Sequence, residues 1–264
     1  PNFRTSFVSI ICIYVYTLVF KCFGSSLLNK ERIKYSFKYL IFVEYILITA
    51  QMCNESAKPI FEALDQIVRY TANFLAPKLG VDVNQLEYPG VGLSNWSLYF
   101  SDTNRLGFQP HDLNDSRNRT LGHEVTHCLH AQTNPEINEK YDEDLETANL
   151  VELVGVYGAL VYAASPHPEI EDAKQSVLMG IESLDESIKL LLREVEHTGN
   201  EFIYQYETHI GGARAARFLF AKFGDRYLAT MTHANASEAI QILQDVGYRG
   251  NLFAPYKFEV EGWT

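Results

Sequence analysis

Between Thr120 and Leu129 the chain reads TLGHEVTHCL. Two histidines stand four residues apart, and a glutamate directly follows the first. On an α-helix, residues four apart differ by about 40° in direction and about 6 Å in rise, so His123 and His127 share one face. Glu124 lies about 100° round from His123. The flanking Leu121, Val125, Thr126, Cys128 and Leu129 are uncharged, which suits a helix whose other faces are buried. Two surface histidines beside a surface acid would need a more polar setting. The pattern therefore demands a buried helix with two imidazoles converging at one point, and two such imidazoles can share a Zn²⁺ ion. Glu124 cannot join them comfortably but can reach a water held there, the place of a general base.

A catalytic zinc usually takes a third protein ligand. The next predicted helix, about Asp142 to Tyr162, offers Glu143, Glu146 and Glu152. Glu143 and Glu146 belong to the acidic run YDEDLE, which reads as a solvated helix start. Glu152 sits in ANLVELVGVYGALVY, where nearly every neighbour is apolar. An ionised carboxylate there needs a strong partner. Glu152 is the expected ligand, with Glu146 the alternative. His130, three residues past His127, does not converge with the pair and reads as a partly exposed helix residue. The four cysteines, Cys12, Cys22, Cys53 and Cys128, contain no CxxC pair; Cys128 reads as a small apolar helix residue.

Around this motif the periodicity predicts helices over Ser56–Leu79, from Asp115 or Ser116 to about Ala131, Ile170–Glu196, Gly211–Phe223, Arg226–Met231 and Ser237–Val246. Trp96–Ser101 (WSLYFS) predicts a strand, and residues 102–116 a loop. One helix, a little strand and then many helices give an α+β class. Formal net charge is −11, so a nucleic-acid partner is not expected.

The first 51 residues differ in kind. Arg4, Lys21, Lys30, Arg32, Lys34 and Lys38 face only Glu31 and Glu44 there, so this part is basic and the rest strongly acidic. Residues 6–20 form a nearly unbroken apolar run after Arg4, and 39–50 a second one. The run at 6–20 reads as a signal h-region, as a short membrane anchor, or as a stretch foreign to the domain with Met52 as functional start. The first two place the protein in a membrane or a secretory route, with membrane association through residues 6–20, and the third in the cytoplasm. The expected division is a signal- or anchor-like segment, 1–51, and a catalytic domain, 52–264. Asn-x-Ser/Thr sites at Asn54, Asn95, Asn114, Asn118 and Asn235 read as chance occurrences.

Three stretches give a family resemblance: TLGHEVTHCL, VELVGVYG and HIGGARAARFLFAKFGDRYL. Together they resemble the gluzincins, HExxH-plus-Glu zinc metallopeptidases that include the thermolysin and aminopeptidase-N families. The resemblance covers roughly residues 95–232. It implies a zincin-like domain with a small mixed sheet before the HExxH helix and a mainly helical C-terminal half. It also implies zinc on His123, His127 and Glu152, Glu124 as base to a metal-activated water, and a peptide or protein substrate. Gluzincins stabilise the oxyanion with a Tyr or His from the helical half. Tyr204, Tyr206 and His209 are the candidates, and His209 stands three residues before Gly212, as the family's catalytic Tyr does. Departures are Leu153 where a Gly usually follows the ligand Glu, and Val156 where an acid often supports a ligand His; Asn149 is the expected substitute. Glu146, not Glu152, has the spacing of aminopeptidase-N relatives. Zinc hydrolysis of a non-peptide amide or ester shares the same chemistry. An inactive membrane-tethered binding protein is the contrasting expectation, against which the intact Glu124 argues.

Overall fold

A computed structural model describes residues 57–94, 97–101, 103–139, 145–184 and 210–250. Contacts divide the chain into two units, Pro1–Lys58 and Pro59–Thr264, and the elements below build the second. Several expectations lie outside the described residues: the apolar runs and the boundary at Met52, Cys12, Cys22, Cys53, Asn54, Asn95, Trp96, Glu143, residues 185–196 of the expected long helix, Tyr204, Tyr206 and His209.

The first helix, α1, spans 57–79. Its spacing puts Ile60, Leu64, Ile67, Val68 and Leu75 on one buried face. Gly80 ends it at φ +73°, the left-handed turn that residues with a Cβ adopt only at a cost. Three short strands follow: β1 (Gly90–Leu93), β2 (Leu98–Phe100) and β3 (Arg105–Phe108). They form a mixed sheet in the order β1-β3-β2, with β1 parallel and β2 antiparallel to β3. The sequence predicts a loop over 102–116, and here it is corrected. Leu106 and Phe108 alternate inward from the middle strand. The alternation is only four residues long and contains Gly107, too brief to stand out among Asp, Asn and Pro.

Helix α2 is Arg119–Thr133, three residues later than the later of the two expected starts. The Asp115 carboxylate accepts the N–H groups of Arg117 and Arg119 at 3.0 and 2.9 Å. Asn118 turns left-handed at φ 53°, which breaks any earlier helical run. A short helix, α3 (Pro135–Glu139), follows, and then α4, Leu145–Ala163. Beyond it, α5 covers Glu171–Ser183. Leu184 turns extended at ψ 145°, so no single helix runs on to Glu196. The Ser183 hydroxyl donates to the Gly180 carbonyl at 2.7 Å, a local bond that competes with helix continuation. Helices α6 (Ile210–Phe223), α7 (Leu228–His233) and α8 (Ala236–Asp245) complete the domain. Gly224 closes α6 at φ +63°, and a reciprocal Asn235–Glu238 capping box opens α8.

The fold is thus mostly helical with a small three-stranded mixed sheet, an α+β arrangement. Helix α4 is the central element. It packs against α2 on one side and α6 on another, and touches α3, α7 and α8 as well. Leu150, Leu153, Val154, Tyr157 and Tyr162 are buried on it. A helix packed on all sides is apolar on all sides, which explains its composition. Among the described residues no single helix is long and apolar enough to cross a membrane.

Candidate metal centre

Helices α2 and α4 face one another, and the site lies where they meet. His123 and His127 project from α2 with their Nε2 atoms 2.9 Å apart. Glu152 reaches across from α4. Its two oxygens lie 3.5 Å from His123 Nε2 and 3.5 Å from His127 Nε2. These three residues offer donor atoms that all lie within 4.8 Å of one another. Glu146 is exposed, whereas Glu152 is 5% exposed. The structure therefore places Glu152, not Glu146, beside the two histidines. The apolar neighbours of Glu152 reflect its place on the face that α4 buries against α2.

The donor set fits a small cation. Two donors at about 2.05 Å from a tetrahedral centre stand about 3.3 Å apart, and the separations of 2.9, 3.5 and 3.5 Å bracket that value. The approach of the rings depends on Gly155, three residues after Glu152. A Cβ on Gly155 would stand 2.6 Å from His127 Cε1 and 3.0 Å from His123 Cε1. Any larger residue would push both imidazoles off α4. Gly122 and Gly158 bring the same two helices together elsewhere, against Tyr162 and Thr126. His123 keeps 20% of its side chain exposed against 12% for His127, so the centre opens to solvent on the His123 side.

Glu124 lies beside the three donors and is buried. Strand β2 holds it: the Tyr99 N–H donates to Glu124 Oε2 at 3.0 Å. Burial pushes the Glu124 carboxyl up to about 8, His127 opposes the rise, and Glu152 adds to it. A divalent cation at the three donors would also oppose it. Burial lowers the pKa of His127, but the carboxylates of Glu152 and Glu124 outweigh burial and raise it. Tyr99 donates through its hydroxyl to Asn104 Oδ1 at 3.2 Å as well, so both ends of the residue that holds Glu124 are fixed.

One reading is corrected here. His130 is 2% exposed, not a partly exposed surface residue. Its ring is hydrogen-bonded to the Thr232 backbone, and burial lowers its pKa to about 3. Helix α7 covers this face of α2, and no residue near the motif signals that cover. Cys128 is buried, and burial pushes its thiol up to about 12, which leaves it in the unreactive thiol form.

Asn149 is buried one turn before Glu152 on α4, and its Oδ1 accepts the Gly212 N–H at 3.3 Å. A Cβ on Gly212 would collide with the Asn149 carbonyl. The first turn of α6 therefore lies against α4 within a turn of Glu152. Two contributors to the site carried no sequence signal. Tyr99 acts through its backbone. Lys174, 3% exposed, donates to Asn118 Oδ1 at 2.8 Å and fastens the start of α2. The same bond buries Asn118, so that glycosylation sequon is not available in the folded chain. No protein-family model matches the chain, and no curated protein or solved structure matches it either.

Proposed function

We propose that this chain is a zinc-dependent hydrolase of zincin type that cleaves peptides. The observation that carries the reading is the convergence of His123, His127 and Glu152 with a separate buried carboxylate, Glu124, fixed beside them by a backbone N–H. A structural metal site has no use for a second carboxylate kept out of the donor set. A hydrolytic site does, because water must lose a proton as it attacks.

His123, His127 and Glu152 would hold the ion, two neutral nitrogens and one anionic oxygen, a donor set that suits zinc. Bound there, zinc supplies Lewis acidity toward a water and a substrate carbonyl. The remaining work belongs to the chain. Glu124 takes the proton of the attacking water and returns it to the leaving amine. The Tyr99 N–H keeps one carboxylate oxygen in place, which fixes the direction of the other. Because that N–H points to Glu124, the edge of β2 that faces away from β3 runs beside the site. An extended peptide can pair with such an edge. This favours a peptide over a small ester or amide. Tyr206 and His209 precede the turn of α6 that rests on Asn149, and His209 is the first candidate to donate to the developing oxyanion.

The test is metal content of the purified chain, measured beside hydrolysis of a mixed peptide library with and without chelator. About one zinc per chain and chelator-sensitive cleavage support the reading. A chain that takes up no metal, or a zinc-loaded chain that cleaves no peptide while hydrolysing simple esters, overturns its metal or its peptide half respectively.

A further inference from the structure

A ligand imidazole is rarely left with its second nitrogen unpartnered. It donates that N–H to an acceptor that fixes the tautomer and the ring plane. His127 turns Nε2 toward the other donors, so Nδ1 carries the hydrogen. That Nδ1 is buried and has no hydrogen-bond partner among the described residues. Asn149, the substitute expected from sequence, has its Oδ1 on the Gly212 N–H of α6.

Among the described residues, one other side-chain atom is in the same condition: Nε2 of His130, buried without a partner. The two residues are three apart on α2 and so lie on neighbouring positions of one face. Each lies within electrostatic reach of the other. Their protonation is complementary. His130 is bonded to the Thr232 backbone, and Thr232 is the penultimate residue of α7. The last carbonyls of a helix lack helical N–H partners, so the carbonyl accepts, and because Nε2 is unpartnered the donor is His130 Nδ1. A neutral imidazole that donates through Nδ1 leaves Nε2 as a bare acceptor. One buried orphan is therefore a donor and the other an acceptor, and no direct bond joins them.

We propose that His130 is the positioning residue for the ligand His127, joined to it by one buried water. The water accepts from His127 Nδ1–H and donates to His130 Nε2. The chain of bonds then runs from the metal centre through His127, water and His130 to the C-terminal end of α7. Burying these nitrogens otherwise costs the desolvation of two polar groups with nothing in return. A bridging water needs polar partners on more than one side, and this pair supplies one of each kind. The inference rests on the metal reading above, since the role of His130 is to orient a ligand.

The test uses the full chain with zinc as the probe. Affinity is measured by chelator competition for the wild type, His130→Phe and His130→Gln, with thermal unfolding of each metal-free protein alongside. Loss of an outer partner of a ligand histidine weakens metal binding by about 10–100-fold. His130→Phe should show that loss, and His130→Gln, which keeps an acceptor oxygen, should recover most of it. A merely structural role would lower the unfolding temperature of both variants without separating their zinc affinities, and that result overturns the proposal. Should His130→Phe fail to fold, nitrogen NMR of the wild-type imidazoles decides: Nδ1–H on both His127 and His130 supports the bridge, and Nε2–H on His130 overturns it. Wild-type zinc affinity in folded His130→Phe overturns this inference alone. A wild-type chain that binds no zinc overturns the metal reading and this inference with it.

Discussion

At the residue scale the site holds two buried carboxylates in different places, and the proposed function gives them different roles. Glu152 faces both imidazoles, while Glu124, next to His123 in the chain, points to the Tyr99 N–H instead. Substitution should separate the two roles. Glu124→Gln is expected to leave zinc bound and to lower peptide hydrolysis by at least about a hundredfold, the usual loss for a general base; wild-type turnover from a zinc-loaded Glu124→Gln protein would sink the mechanism. Glu152→Ala is expected to weaken zinc binding strongly, and Glu146→Ala to leave it unchanged, because Glu146 is an exposed side chain at the start of α4. Metal titration of both variants gives the ranking, and the reverse order would point to the aminopeptidase-like spacing. Much of this was legible beforehand. The HExxH spacing placed three residues, and the apolar surroundings placed Glu152. What could not be read were partners supplied by backbone or by distant elements: the Tyr99 N–H, and the α7 carbonyl that makes His130 an interior residue. Neither leaves a mark in the pattern of residue types near the motif.

At the scale of elements, helices were legible because a repeat near 3.6 residues persists over several turns. Of the strands, β2 was legible from the aromatic run that contains Leu98–Phe100, whereas four residues such as Arg105–Phe108 hold too few alternations to register. Helix ends were set by single interactions, the Asp115 carboxylate at the start of α2 and the Ser183 hydroxyl at the end of α5. Contact between α2 and α4 depends on glycine. Gly155 lets the two imidazoles rest on the α4 backbone, where a methyl group would lie well inside contact distance. Close-packed rings have nowhere to retreat, so the added carbon must rotate them or spread the helices. Gly155→Ala is accordingly expected to lower zinc affinity by about tenfold or more, a loss comparable to that of an outer ligand support. Cobalt substitution makes the effect visible, since ligand geometry sets the cobalt absorption bands. A Gly155→Ala protein with unchanged bands and unchanged affinity would mean that the helices yield freely, and that Gly155 does not shape the site.

For the whole molecule, α4 does two jobs: it carries Glu152 and it is the hub on which the domain packs. Two buried tyrosines on it tie the hub to distant parts of the chain. The Tyr157 hydroxyl donates to the Gly224 carbonyl at 2.6 Å, at the end of α6. Tyr162 meets Thr71 of α1 at 2.9 Å. The Thr71 proton goes to the Ile67 carbonyl at 2.9 Å, so Tyr162 must be the donor in that bond. Both ties need a protonated phenol. Burial raises the pKa of both hydroxyls, that of Tyr157 to about 12. An unfolded tyrosine ionises near pH 10. Below that value both states hold the proton, and the ties contribute in full. Above it the unfolded chain loses protons that the folded chain keeps, so the unfolded state gains and stability falls. For Tyr157 the loss runs from about pH 10 to about pH 12. The expected outcome is a urea midpoint that drops steeply above about pH 10, each buried tyrosine adding to the slope. Tyr157→Phe and Tyr162→Phe should each start from a lower midpoint at pH 7, having lost a hydrogen bond, and then fall less steeply in alkali. Circular dichroism of the three proteins across this range measures both effects together. Parallel curves would show that neither phenol titrates differently in the folded state, and coincident curves that α4 is held to α1 and α6 by apolar packing alone.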